Sequence, residues 1–294
     1  MSFCRLELRS CSHDDSGQQK TTQHAVMSFL SSRLAALPHR MRGRALSSSS
    51  APSNYDTFHR IAMSRASEFD FDSSKTISPE VMRSIVRTTQ AAPSSFNFQP
   101  YKIVLVSARD LKEVLARTAC LGFLNTRKVL NCSVLAVFLS DKVPSDLTDK
   151  VVALEAASGA DPEYVRSLPQ KTNFLIGKGV LAGKLKRLAT HLLSPLQASP
   201  GIPAVEAWSE KNTTFAAQNY MLAATSLGIS TCPMEGFDAR RVTSLLEIPE
   251  ERYSVPYIIA TGYPALQGGA QRKKVRFPME DVVFKDKFGC KYSD

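Results

Sequence analysis

The sequence lacks most of the motifs that reveal a chain's chemistry directly. No Cys-x-x-Cys occurs, and Cys4, Cys11, Cys120, Cys132, Cys232 and Cys290 are scattered. That spacing argues against a zinc framework or a disulfide scaffold and leaves reduced thiols, some of them buried as small hydrophobes. Neither G-x-S-x-G nor G-x-G-x-x-G is present, which removes the hydrolase elbow and the dinucleotide-binding turn. Histidine is scarce: after the first 54 residues only His59 and His191 remain, neither beside a Ser or Cys in a nucleophile setting. No metal-ligand spacing is found, so neither a metal nor a catalytic side chain is indicated. "GKGVLAGK" at 177–184 comes nearest to a phosphate loop. Gly177 and Gly183 stand one residue too far apart, and Leu185 occupies the place of the magnesium-binding Ser or Thr. The segment reads instead as a basic amphipathic helix with flexible glycines. No apolar run approaches the ~20 residues of a membrane span.

Acidic residues are absent from Ser16 to Tyr55. That window holds Arg33, Arg40, Arg42 and Arg44, leucines at 30, 34 and 37, and a serine tract at 47–50. Arg-rich, Ser-rich, acid-poor and amphipathic is the composition of a mitochondrial presequence. Residues 1–54 are therefore expected to be a leader, with mitochondrial localisation, and Met27 is an alternative start. Net charge is +10, and residues 1–55 hold seven Lys/Arg against three Asp/Glu. The remainder is mildly basic, which suits an anionic small ligand. No basic run is interleaved with aromatics, so nucleic acid is not an expected partner.

From residue 55 the pattern is that of a folded domain reaching 294. Ser78 is a predicted N-cap with Pro79 at the first helical position, before a stripe of Val81, Met82, Ile85 and Val86. "KIVLVS" from Lys102 and "SVLAVFLS" from Ser133 read as buried strands, with a helix over "ARDLKEVLART" between them. A long helix is predicted from Ala204 to Leu227, ended by Gly228, offering Trp208, Phe215, Tyr220, Met221 and Ala224 to the core. A short strand leads to "CPMEGFD", a helix covers Ala239–Leu246, and "YSVPYIIATGY" is another buried strand. Strands separated by helices indicate α+β or α/β around one sheet. Residues 141–203 resist assignment.

Polar clusters supply what chemistry there is. Arg65 and Ser67 stand in "SRAS", and Lys274 and Arg276 in "KKVRFP", on one face if extended. Arg forks and Lys point charges suit phosphate oxygens. "NTRK" sets Asn125 and Lys128 one helical turn apart, an amide that can read a heterocycle edge beside a cation. "PSSFNFQP" at 93–100 is a long, polar and stiff entry to a strand.

Taken together and in order, these segments resemble the FMN-dependent nitroreductase family over about residues 55–280. "SRAS" is similar to its Arg-x-Ser phosphate motif, "PSSFNFQP" to its Pro-Ser-Ser-x-Asn-x-Gln-Pro loop and "NTRK" to its Asn-x-x-Lys element. "CPMEGFD" is similar to its Pro-x-Glu-Gly-Phe stretch and "KKVRFP" to its closing Lys-x-Arg-x-Pro. With the leader in front, the chain looks like the mitochondrial type I nitroreductases of kinetoplastid protozoa. The resemblance implies a three-layer α/β/α fold of the α+β class, a central mixed, mostly antiparallel sheet, and FMN sites at a homodimer interface. It implies that Arg65, Lys274 and Arg276 hold the FMN phosphate, assisted by Ser67 and the backbone of Ala66. Pro93, Ser94, Ser95 and Asn97 would lie along the flavin of the partner subunit. Asn125 would meet the pyrimidine edge and Lys128 the N1–C2=O side, where a cation stabilises the reduced form. Pro233 and Met234 would shape the flavin face, with backbone of Glu235 and Gly236 near N5. Where many bacterial members carry a Lys near the flavin, this chain has Phe69. The implied activity is two-electron, ping-pong reduction of quinones and nitroaromatic compounds by NADH or NADPH, with residues 141–203 covering the site. Two alternatives are another flavin enzyme of this fold, dehalogenase-like or flavin-fragmenting, and a non-catalytic flavin protein held at a membrane by its basic helix.

Overall fold

The computed structural model describes residues 53–177, 180–198, 201–265 and 274–292. The predicted leader, apart from Ser53 and Asn54, and Lys178 lie outside the described residues.

Apolar alternation builds the centre. In β2 (Val134–Asp141) every residue is buried, with Leu135, Val137 and Leu139 in one core and Val134, Ala136 and Phe138 in the other. A strand that is apolar on both faces needs cover on both. β2 pairs with β1 (Tyr101–Val106) on one side and β4 (Tyr253–Gly262) on the other, and β3 (Ser230–Met234) lies beyond β4. All four strands run antiparallel; the parallel pairing among the isolated bridges is Ser67 with Thr231, just outside the free edge of β3.

Helices supply the cover. Toward Leu135 and Val137 pack α3 (Arg109–Thr118), α4 (Phe123–Asn131) and α9 (Ala239–Leu245), through Leu115, Val129 and Val242. Toward Phe138 pack α2 (Pro79–Gln90) and α8 (Val205–Ser226), through Ile85, Ala216 and Tyr220. The result is the expected three-layer α/β/α fold. α2 starts as the sequence predicts, with the Ser78 hydroxyl accepting from Val81 N–H and Pro79 at its first position. Gly228 follows α8 at φ 73°, a left-handed conformation that a side chain would resist.

One expectation about side chains needs correction. Phe215 is 52% exposed rather than core. At 100° per residue it sits about 140° round α8 from Tyr220, outside the buried stripe that Asn212, Ala216 and Ala224 define. Trp208 is core, as the sequence indicates. It is buried in a third core with Phe98, Val151, Leu168 and Ile176, its ring edge-on to Phe98 at 6.0 Å.

That third core belongs to the region that resisted assignment. Residues 141–203 hold α5 (Thr148–Ala157), α6 (Pro162–Ile176) and α7 (Val180–Leu193), so a helix covers the basic segment from Val180 onward. α1 (Asn54–Ser64) and the short α10 (Met279–Val282) complete the described helices.

Candidate active site

The free edge of β3 is where the predicted phosphate-binding cations meet. Arg65 closes α1, its N–H donating to Ile61 O at 3.0 Å. Two residues later Ser67 bridges Thr231, and Glu68 N–H donates to Thr231 O at 3.0 Å. This short pairing fixes Arg65 and Ser67 beside the strand. From the far end of the chain Lys274 donates Nζ to Ala62 O at 2.8 Å, which brings Arg276 with it. Arg65, Ser67, Lys274 and Arg276 thus line one cleft of about 720 Å³, together with Pro233 and with Gln218 and Met221 of α8.

Three cations share that cleft, and among the described residues no carboxylate pairs with any of them. The strain shows in Lys274. Desolvation, and then Arg65 and Arg276 beside it, hold its ammonium below the ordinary lysine range. A donor set of two guanidinium forks, an ammonium and a hydroxyl without a counter-charge fits a phosphate group. An apolar slot of about 290 Å³ adjoins the cleft, sharing Gln218, Met221 and Pro233 and continuing along Met234, Glu235 and Tyr257.

A second group stands at the start of α4. Asn125 Nδ2 donates to Gly236 O at 3.1 Å, and Leu121 N–H donates to the same oxygen at 2.9 Å. The approach demands glycine at 236: a Cβ there would lie 2.4 Å from Asn125 Nδ2. One turn on, Lys128 Nζ donates to Asn125 Oδ1 at 3.3 Å, and the Phe69 ring covers the ammonium with its centroid 4.9 Å away. Lys128 is only 6% exposed, and among the described residues no carboxylate pairs with it. The two groups meet at Cys232. Burial pushes its thiol up, while Lys128 and, less strongly, Arg65 pull it down.

The Pro93–Pro100 loop is held elsewhere. Phe96, Asn97 and Gln99 adopt φ of 54°, 58° and 46°, values that side chains disfavour. Hydrogen bonds and packing enforce them. Ser95 N–H donates to Asn212 Oδ1 and Asn97 Nδ2 to Glu155 Oε1, each at 2.8 Å, and Gln99 N–H donates to Ser94 Oγ at 2.9 Å. Phe98 anchors the loop beneath, against Trp208. Pro93, Ser95 and Asn97 are exposed, and the loop lines neither cleft of its own chain.

Of the predicted site residues, the fold gathers Arg65, Ser67, Pro233, Lys274 and Arg276 into one cleft, with Ala66 exposed between the first two. Met234 and Glu235 line the adjoining slot, and Gly236, Asn125 and Lys128 are linked by hydrogen bonds. Sequence reasoning missed Gln218, and Met221, read as core, packs against the Phe138 core while also lining both clefts. Their three-residue spacing on α8 was the available signal.

Comparison with known proteins bears on this arrangement. A sequence model described as the nitroreductase family matches residues 62–159 and 192–263. The chain is 26% identical over 228 residues to the oxygen-insensitive NAD(P)H nitroreductase of Salmonella typhimurium, covering 76% of this chain and 96% of that one. It is 25% identical over 228 residues to the oxygen-insensitive NAD(P)H nitroreductase of Enterobacter cloacae, with the same shares covered. Among solved structures, ydfN of Bacillus subtilis superposes with a TM-score of 0.61 at 26% identity, over 78% of this chain and 98% of that one. A protein of Exiguobacterium sibiricum, solved in complex with FMN, gives 0.58 at 21% identity, over 77% and 95%.

Proposed function

The chain belongs to the nitroreductase family, and from that premise we propose that it is an FMN enzyme, oxidising NADH or NADPH to reduce quinones and nitroaromatic compounds. The observation that carries the reading is the cleft beside β3, where Arg65, Lys274 and Arg276 converge without a counter-charge. FMN fits it: one phosphate for the cations and Ser67, and a flat ring system for the apolar slot beyond. When bound, FMN supplies the two-electron exchange between a nicotinamide and the acceptor.

The chain's own residues bind, orient and polarise. Arg65, Lys274 and Arg276 neutralise the phosphate and anchor the cofactor at one end. Pro233 and Met234 present a rigid, largely apolar wall that keeps water away from one side. Asn125, held by Gly236 O, is fixed as a polar reader of a heterocycle edge. The ammonium of Lys128 is met by an amide and an aromatic face, and among the described residues no carboxylate neutralises it. That charge favours electron-rich states of whatever ring it faces.

The exposed loop residues Pro93, Ser95 and Asn97 support a homodimer in which this loop completes the partner subunit's site. They are rigidly presented but line neither of the two clefts described in their own chain. A mitochondrial setting, and kinship to the kinetoplastid type I enzymes, remain part of the proposal and rest on the composition of residues 1–54.

Anaerobic stopped-flow on the full chain tests the reading. NADH or NADPH should bleach a flavin absorbance, and a water-soluble quinone or a nitrofuran should restore it fully. A preparation without flavin that also fails to bind added FMN would sink the proposal. Turnover that needs oxygen and no added acceptor would point to the flavin-fragmenting alternative.

A further inference from the structure

The two stretches matched by the family leave out residues 160–191. That gap contains all of α6 and most of α7. It also departs from the rest of the chain in charge. Between Glu163 and Glu206 there is no acidic residue, while Arg166, Lys171, Lys178, Lys184, Lys186 and Arg187 fall within it.

α7 exposes what a folded protein normally hides. Leu185, Leu188, Leu192 and Leu193, and Leu196 just beyond, are each more than half exposed. The first three recur at three- and four-residue spacing and so share one face. Lys184 and His191 are exposed as well. An uncovered leucine stripe on a short helix without acids is the pattern of a helix lying in a membrane surface. A protein partner fits less well, since lysine is depleted at the core of protein–protein interfaces. Crossing a bilayer is excluded for the described helices, none of which is long and apolar enough.

We propose that α7 docks this protein on an anionic phospholipid bilayer, its leucines entering the acyl boundary while the surrounding cations meet lipid phosphates. Fourteen residues make a helix about 21 Å long, enough to lie in the plane of the interface. Docking involves no electron transfer and stands apart from the redox reading.

The test is flotation of the full chain with vesicles of phosphatidylcholine containing about one-third phosphatidylglycerol, against vesicles of phosphatidylcholine alone. The wild type should float with the anionic vesicles and be released by salt. Leu188→Glu with Leu192→Glu should lower partitioning at least about tenfold, and Lys184→Gln about fivefold. Both variants alter exposed residues, so circular dichroism and melting should match the wild type. Three outcomes overturn the proposal: no flotation of the wild type; equal flotation of wild type and variants, which would put binding elsewhere in the chain; and a leucine variant that becomes monomeric by light scattering while the wild type is dimeric. The last would mean that a second copy covers the stripe. Because binding is read without turnover, failure here leaves the enzymatic reading untouched.

Discussion

Replacing Lys128 by Met separates a residue kept for function from one kept for stability. The ammonium is buried at 6% exposure, with one long hydrogen bond to Asn125 and one ring contact to Phe69. Those contacts contribute about 1 kcal/mol each. Against them stands the cost of desolvating a cation without a carboxylate, which Met of similar length removes. The terms oppose, so the apoprotein should stay within about 1 kcal/mol of wild type in urea denaturation. Flavin chemistry should respond differently. A hydrogen bond from a cation to a charged group is worth about 1.5–3 kcal/mol. The preference for reduced over oxidised FMN should therefore fall roughly 10- to 150-fold, about 30–65 mV for a two-electron couple. Phe69→Leu keeps the cation but admits water to it. It should shift the potential in the same direction by about a third as much, since a half-exposed cation–π contact is worth about 1 kcal/mol. Spectroelectrochemical titration of FMN-loaded wild type and variants measures both shifts. A Lys128→Met protein that binds FMN at an unchanged potential would refute the electrostatic role. One destabilised by more than about 3 kcal/mol would show that the lysine is a structural keystone instead.

The cleft makes further commitments. Arg276→Gln removes one of three like charges, so FMN affinity should fall about 10- to 100-fold while the apoprotein loses no stability; fluorescence quenching and thermal melting read the two. Lys274 loses its proton below 10.5, the value of an ordinary lysine. As pH rises through that lowered value, FMN affinity should weaken and binding should take up protons in two calorimetric buffers. In the same window the folded apoprotein binds fewer protons than the unfolded chain, so its stability should rise with pH, and bound FMN should reverse that trend. Gly236→Ala pushes Asn125 from its bond to Gly236 O, at a cost of about 1 kcal/mol in stability. Its melting point should fall only slightly while FMN binding suffers more. Trp208→Ala should destabilise by about 3–5 kcal/mol with KM for the acceptor unchanged. A raised KM at unchanged stability would instead place Trp208 at the substrate site.

The fold is legible in the sequence wherever a segment buries its pattern against the sheet. β2 and β4 read as strands because both faces are covered, and α2 because Ser78, Pro79 and the Met82–Ile85 stripe agree. Residues 141–203 were opaque for the opposite reason. α5 buries only Val151, so its apolar residues follow no single face. α6 carries Pro169 in its interior, which reads as a break although the helix continues through it. α7 does have a leucine periodicity, but it faces outward, and a pattern that buries nothing gives no tertiary address.

The candidate site residues stand out in the sequence through the motifs that carry the family resemblance, and in the structure they fall where local rules are broken together. A buried lysine lacks a carboxylate, three cations share a cleft, and three non-glycine residues within four positions take left-handed backbone. Two segments of the chain approach so closely at Gly236 that a methyl group would not fit. Each violation is costly alone, and a sequence selected for stability alone would remove it. Two kinds of compensation are needed. The charges need an anion, which a phosphate-bearing flavin supplies. The strained loop is held by Asn212, Glu155 and Trp208, with Ser95 and Asn97 exposed and outside the two clefts described. Within its own chain the loop lines neither of the two clefts described. The proposed homodimer would give the strain a use, by setting the loop against the cofactor of the partner subunit.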